Sequence, residues 1–146
     1  MTVSVECDAS DLVRAMDGIA EELAERTLPN AMRLIGETAV RMAVDGAPNV
    51  TSRLAGSIAS LTGRDGSTYW VQIGTNVEYA PYVEFGTGQR GSATYVDRNG
   101  ESHTADVVFR DDWKGMAPHP YIRPAVYDKM DVYRSMIADA LRRAAR

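Results

Sequence analysis

Apolar residues recur every three or four positions from Leu12 to Leu23 and again from Leu28 to Met42, and nothing else in the sequence constrains the fold so tightly. Leu12, Met16, Ile19 and Leu23 make the apolar stripe of an amphipathic helix whose wet side carries Asp17, Glu21, Glu22 and Glu25. The stripe runs on through Leu28, Met32, Ile35, Ala39 and Met42 to Asp45-Gly46-Ala47-Pro48, where a glycine and a proline stop it. Pro29 lacks an N–H and crowds the preceding turn, which predicts a break or kink. Residues 9–46 are therefore expected as two helices or one bent helix, capped by Asp8 or Ser10. Ahead of the cap, Val3 and Val5 alternate with polar neighbours and read as a short half-buried strand.

A third amphipathic helix is predicted from Pro124, whose missing N–H suits a first turn, through Val126, Met130, Tyr133, Ile137 and Leu141. Its end carries Arg134, Arg142, Arg143 and Arg146 against Asp139, which complements the negative carbonyl end of a helix. Those arginines serve capping and solubility, or contact with an acidic partner surface.

Between the helices lie two hairpin signals. Asp65-Gly66 suits a type I′ turn and sets Arg64 against Ser67, Thr62 against Tyr69, Ser60 against Val71 and Ile58 against Ile73. Leu61 and Trp70 fall on the other face, so cover on both faces is expected, at least in an assembly. Asn99-Gly100 marks the second turn and pairs Arg98 with Glu101, Val96 with His103 and Tyr95 with Thr104. That hairpin is polar, and two isolated strands are marginal in water. It is expected to project and to gain order from a neighbour. The reading is an α+β single domain over residues 1–146: an antiparallel sheet of about four strands packed by long N-terminal and C-terminal amphipathic helices. Residues 88–116 form a flexible, projecting β-hairpin arm.

A chain of 146 residues with 25% charged and 45% hydrophobic content fits one globular core. Its net charge of −4 disfavours general attraction to nucleic acid. Cys7 stands alone, so no internal disulfide forms, and His103 and His119 add too little for a Cys/His zinc site. No segment reaches the ~18 apolar residues of a membrane span, and the N-terminus lacks a secretory pattern. Synthesis in the cytoplasm, no membrane partner and no cofactor are expected.

Residues 77–87, V-E-Y-A-P-Y-V-E-F-G-T, place Tyr79, Tyr82 and Phe85 three apart. Such aromatics form a ridge that is either core or contact surface. Glu84 lies inside the ridge, where burial would demand a cation, and Arg123, flanked by Ile122 and Pro124, is the candidate, in the same subunit or the next. Gly86-Thr87-Gly88-Gln89-Arg90-Gly91 spells G-x-G-x-x-G, but the residues after it look strand-like, where a phosphate cradle needs a helix start. It reads as a flexible loop. Asn49-Val50-Thr51 fits a glycosylation acceptor and reads as a turn, given the absent secretory signal. No nucleophile with a general base is visible, and Asp111 and Asp112 beside Trp113 read as a charged loop tip.

The chain resembles the neck or tail-component family typified by gene product ten of the Hong Kong 97 phage. The resemblance rests on Thr51-Ser52-Arg53-Leu54 with Ser57-Ile58, Gly74-Thr75, the segment from Tyr79 to Thr87, and Pro118-His119-Pro120-Tyr121-Ile122-Arg123-Pro124-Ala125. Ser52 and Ala55 depart from the Thr-Gly and Arg usual in the family. The resemblance implies a noncatalytic virion protein at the head-tail junction, in the virion after assembly in the host cytoplasm. It would join copies of itself in a ring that meets a head-closure or adaptor protein and a tail-tube or tail-terminator protein. Phage DNA would pass through without sequence-specific binding. Tail completion or termination is the close variant; a monomeric interaction module and an enzyme using Glu84 or the 86–91 loop are the other classes. Subunit-interface candidates are Tyr79, Tyr82, Glu84, Phe85, Gly86, Thr87, Tyr95, Val96, Tyr121 and Arg123.

Overall fold

Helix α1 (Ser10–Glu22), a π turn (Leu23–Thr27) and α2 (Leu28–Gly46) follow one another without interruption in the computed structural model, which describes residues 10–48 and 52–145. The strand predicted at Val3 and Val5, the cap at Asp8 and the turn at residues 49–51 lie outside them. Pro29 explains the π turn. It donates no hydrogen bond, and its ring presses on the carbonyl four residues earlier, so the helix widens there and Leu28 N–H reaches back five residues to Leu23 O. The run ends at Ala47, whose extended backbone turns the chain away.

Helix α2 is the spine on which the rest is laid. Met32, Ile35 and Ala39 are buried with Tyr133, beneath Tyr69, Val71, Ile73, Met136 and Ile137. Further along, Ala43 and Ala47 meet Leu54, Ile58, Val77, Ala80, Tyr121 and Ala125 in a second core. The short helix α3 (Ser52–Ser57) supplies Leu54 to it.

Strands β1 (Ala59–Asp65) and β2 (Thr68–Gly74) form the first hairpin, paired as Ser60 with Ile73, Thr62 with Val71, Arg64 with Tyr69 and Asp65 with Thr68. This register lies two residues from the predicted one. Gly66 has φ +58° while Ser67 does not enter positive φ, so the central pair is Gly66-Ser67, the glycine-first turn of a II′ hairpin. A two-residue shift leaves every side chain on its face because the strand period is two. Tyr69, Val71 and Ile73 accordingly still face the core. The described residues leave Leu61 and Trp70 on the opposite face exposed.

Helix α4 (Ala80–Phe85) and a 3₁₀ turn (Gly88–Arg90) lead into the second hairpin, β3 (Thr94–Val96) and β4 (Ser102–Thr104). Here the register is one residue off: Tyr95 faces His103 and Val96 faces Ser102. Asn99 stays out of positive φ and Gly100 takes φ +85°, so the loop is three residues ending on the glycine, and the one-residue slip exchanges the faces. Asp97 holds this loop by accepting from the N–H groups of Asn99 and Glu101, both at 2.9 Å.

The predicted four-stranded sheet is corrected: β1–β2 and β3–β4 are separate two-stranded sheets. Strands β3 and β4 are three residues each and largely polar, and they lean by side chains on the C-terminal helices instead of extending β1–β2. The projecting arm is corrected for the same reason. Tyr95 Oη donates to Asp128 Oδ2 at 2.8 Å, Arg98 N donates to Asp128 Oδ1 at 2.9 Å, and the His103 ring stacks on Tyr127 at 3.6 Å.

The third predicted helix is divided into α5 (Ile122–Tyr127) and α6 (Met130–Ala144). The break at Asp128-Lys129 frees Asp128 to hold the hairpin, while Tyr133 Oη donates to Ala125 O across it at 2.5 Å. Pro124 sits in the first turn of α5, which starts at Ile122, two residues before the predicted start.

Candidate functional site

Pro81 opens α4 and Gly86 closes it. With 3.6 residues per turn, a spacing of three lags by ~60° per step, so Tyr79, Tyr82 and Phe85 spread around the helix instead of forming one ridge. Tyr79 packs against the core, Phe85 is half-buried, and Tyr82 stands 59% exposed. Core and surface thus both claim part of the set.

Glu84 points inward to the start of α5. Its Oε2 accepts from the N–H groups of Tyr121 at 2.8 Å and Ile122 at 3.0 Å. Its Oε1 accepts from Arg123 N at 3.0 Å and Arg123 Nε at 2.9 Å. Arg123 Nη2 donates to Glu84 O at 2.7 Å, Nη1 reaches Ala93 O at 3.4 Å, and the guanidinium lies over Phe85 at 4.5 Å and Tyr95 at 5.5 Å. One carboxylate therefore caps a helix, neutralises a buried cation and ties α4 to the second hairpin. Of the two pairings left open by sequence, the structure has the one within a chain. Both Glu84 oxygens are fully occupied, which leaves no lone pair directed at a substrate for general-base work.

Beside this clasp the chain folds back on itself. Thr87 N donates to Met116 O at 2.8 Å, Met116 N returns to Thr87 O at 3.1 Å, Gln89 N donates to Trp113 O at 3.1 Å, and His119 N donates to Val83 O at 2.8 Å. The glycines of the G-x-G-x-x-G run serve this closeness: added Cβ atoms at Gly86 and Gly88 would collide with the backbone at Met116 and Trp113. The 86–91 segment is packing surface, which corrects the flexible-loop expectation.

The return segment and α4 enclose an apolar groove of about 190 Å³, lined by Pro81, Tyr82, Phe85, Val107, Val108, Phe109 and Trp113. Val108 at its mouth is 93% exposed, and Trp113 and Met116 are exposed beside it. Of the ten interface candidates, Tyr82 and Val96 lie at the surface, Tyr79, Phe85, Thr87 and Tyr95 are half-buried, and Glu84, Gly86, Tyr121 and Arg123 are buried. Sequence reasoning missed Val107, Val108 and Phe109, though three adjacent large apolar residues in a polar stretch were the available signal.

Electrostatics follow the packing. Burial first, then the hydrogen bond to Asp128, pushes the Tyr95 hydroxyl up to about 12, and burial with the nearby Glu84 charge does the same for Tyr121. Tyr121 Oη is buried and has no hydrogen-bond partner among the described residues. The His103 hydrogen bond holds the Asp97 carboxyl below its usual range. Asp97, Glu101 and His103 each present a ligand atom within 4.8 Å of the others. Asp97, however, already accepts from two loop N–H groups and faces His103 Nε2 at 3.0 Å, the pattern of a turn lock.

Residues 10–86, more than half of the chain, match a family model described as "Bacteriophage HK97-gp10, putative tail-component". The matched span includes α1 to α4 and ends at Gly86, short of the 118–125 part of the signature. No curated protein and no solved structure matches the chain.

Proposed function

Because the chain belongs to the HK97-gp10-like family and is thereby a structural component of a phage tail, we propose that it is a one-domain neck protein of the head-tail junction. In this reading it forms a ring of identical copies and connects the head-closure or adaptor protein to the tail-tube or terminator protein. The observation that carries it is the apolar groove over α4. The signature segment is held rigid from beneath by Glu84 and Arg123, while its outer side and the return segment present Tyr82, Val108 and Trp113 to solvent. A rigid aromatic strip at the surface, supported by satisfied polar groups, is the anatomy of a protein contact. Val108 and Trp113 of that strip come from the return segment after the second hairpin, so the proposed contact lies there and not on a projecting arm. Tail completion or termination uses the same surface in an adjacent layer.

Extracts from an infection lacking the protein, supplemented with purified chain, test this. Restored infectious particles are expected from the wild type, and none from Tyr82→Ser/Trp113→Ser protein that is folded by circular dichroism. Heads and tails that join without the protein contradict the proposal.

A further inference from the structure

Helix α1 has an apolar face that the described elements leave largely uncovered. Met16 is 61% and Ile19 47% exposed, and of the described elements only the π turn that continues it packs appreciably against α1. Most helical stability in a protein comes from packing of the apolar face, which this first 13-residue stretch of the continuous run lacks among the described elements. Asp17 and Glu22 flank this stripe, and Ser10–Glu22 carries four acidic residues against Arg14 alone.

A complementary surface exists on the same chain. Between α2 and α6 runs a groove of about 330 Å³ lined by the apolar Leu34, Met136 and Ala140 and by the charged Arg33, Arg143 and Asp139, the last of these already paired with Arg142 at 2.6 Å, so that the unneutralised charge at its edge is basic. Leu34 is 49% exposed, although it stands on the central helix. Among the described residues Arg33 pairs with its exposed i,i+4 neighbour Glu37, a pairing that costs little to exchange. Thr27 of the π turn lines the groove's end, so the chain's own α1 leaves from its edge.

We propose that the Met16/Ile19 stripe of α1 docks in the α2/α6 groove of a second copy of this chain, with Asp17 and Glu22 facing the partner copy's basic rim. An acidic amphipathic helix entering a basic-rimmed apolar groove is helix-in-groove recognition, and the two surfaces lie at different places on one subunit, as repeated assembly requires. The inference rests on the self-association part of the proposed function and not on its place in the virion.

Light scattering coupled to size exclusion, on the full chain over a concentration series, tests it. The wild type is expected above monomer mass. Met16→Glu/Ile19→Glu and, separately, Leu34→Glu are expected to be monomers with retained cooperative unfolding. Arg143→Glu is expected to weaken association at low salt, and adding Glu22→Lys to restore it. A wild-type monomer, or an oligomer that any of the apolar variants leaves intact, overturns the proposal; should Leu34→Glu not fold, Arg143→Glu with its reversal decides. Association that follows these rules in a protein dispensable for head-tail joining would overturn the neck role alone.

Discussion

Arg123 Nε lies 2.9 Å from Glu84 Oε1, 39 positions away in sequence, and both residues are buried. The same carboxylate accepts three backbone N–H groups at the start of α5, so it is the joint between the signature segment and the C-terminal helices. Removing one partner of such a pair leaves the other buried and uncompensated. Glu84→Ala is expected to destabilise the fold by about 3–5 kcal/mol. Glu84→Gln, which keeps the shape and part of the hydrogen bonding, should cost about 1–3 kcal/mol. Urea denaturation of both variants checks this, and a neutral Glu84→Ala contradicts it.

Tyr121 offers the opposite case. Its hydroxyl is buried without a partner among the described residues, so Tyr121→Phe removes a desolvated group and none of the hydrogen bonds they make. Stability is expected to be unchanged or higher. A loss above about 1 kcal/mol in the same denaturation assay would mean that the hydroxyl is satisfied in solution.

At Gly86 the backbone takes φ +73° with ψ −168°, a region essentially confined to glycine, and an added Cβ would strike Met116 O. Gly86→Ala should cost about 3 kcal/mol or more, combining strain with a backbone collision. Gly56→Ala, where the new atom meets nothing within 4 Å, is the matched control and should stay within about 0.5 kcal/mol. Comparable thermal midpoints for the two variants would contradict the close approach.

Alkaline pH should loosen the molecule in a definite window. Tyr95 and Tyr121 hydroxyls are pushed up to about 12, against about 10 in an unfolded chain. Between those values the folded state keeps protons that the unfolded state has released, so stability is full below the lower value and falls as pH rises toward the upper. Tyr95→Phe/Tyr121→Phe is expected to flatten that decline in denaturation midpoints measured across the window. An unchanged slope contradicts the assignment.

What was legible in the sequence was whatever rested on local pattern. The 3.6-residue stripe along α2 and the stop at Gly46 came through because periodicity and cap chemistry act within a few residues. The Glu84–Arg123 pair was also foreseeable, since a carboxylate between aromatics calls for a cation. The registers were not. Asp65-Gly66 and Gly66-Ser67 are overlapping turn signals, and only the choice of central residues separates them. At Asn99-Gly100 a three-residue loop locked by Asp97 displaced the two-residue turn, and one residue sufficed to move His103 onto Tyr127. The groove escaped notice because Tyr82 and Trp113 meet only after the chain has folded back through Thr87 and Met116.

Electron cryo-microscopy of intact particles, at a resolution that distinguishes helices, tests most directly whether this chain acts as a building block of the head-tail junction. The account predicts a ring of density at the portal-proximal collar that accepts α2, α5 and α6 of each copy, with the Tyr82–Trp113 groove against a neighbouring protein. A fully traced collar with no density for the chain would contradict it.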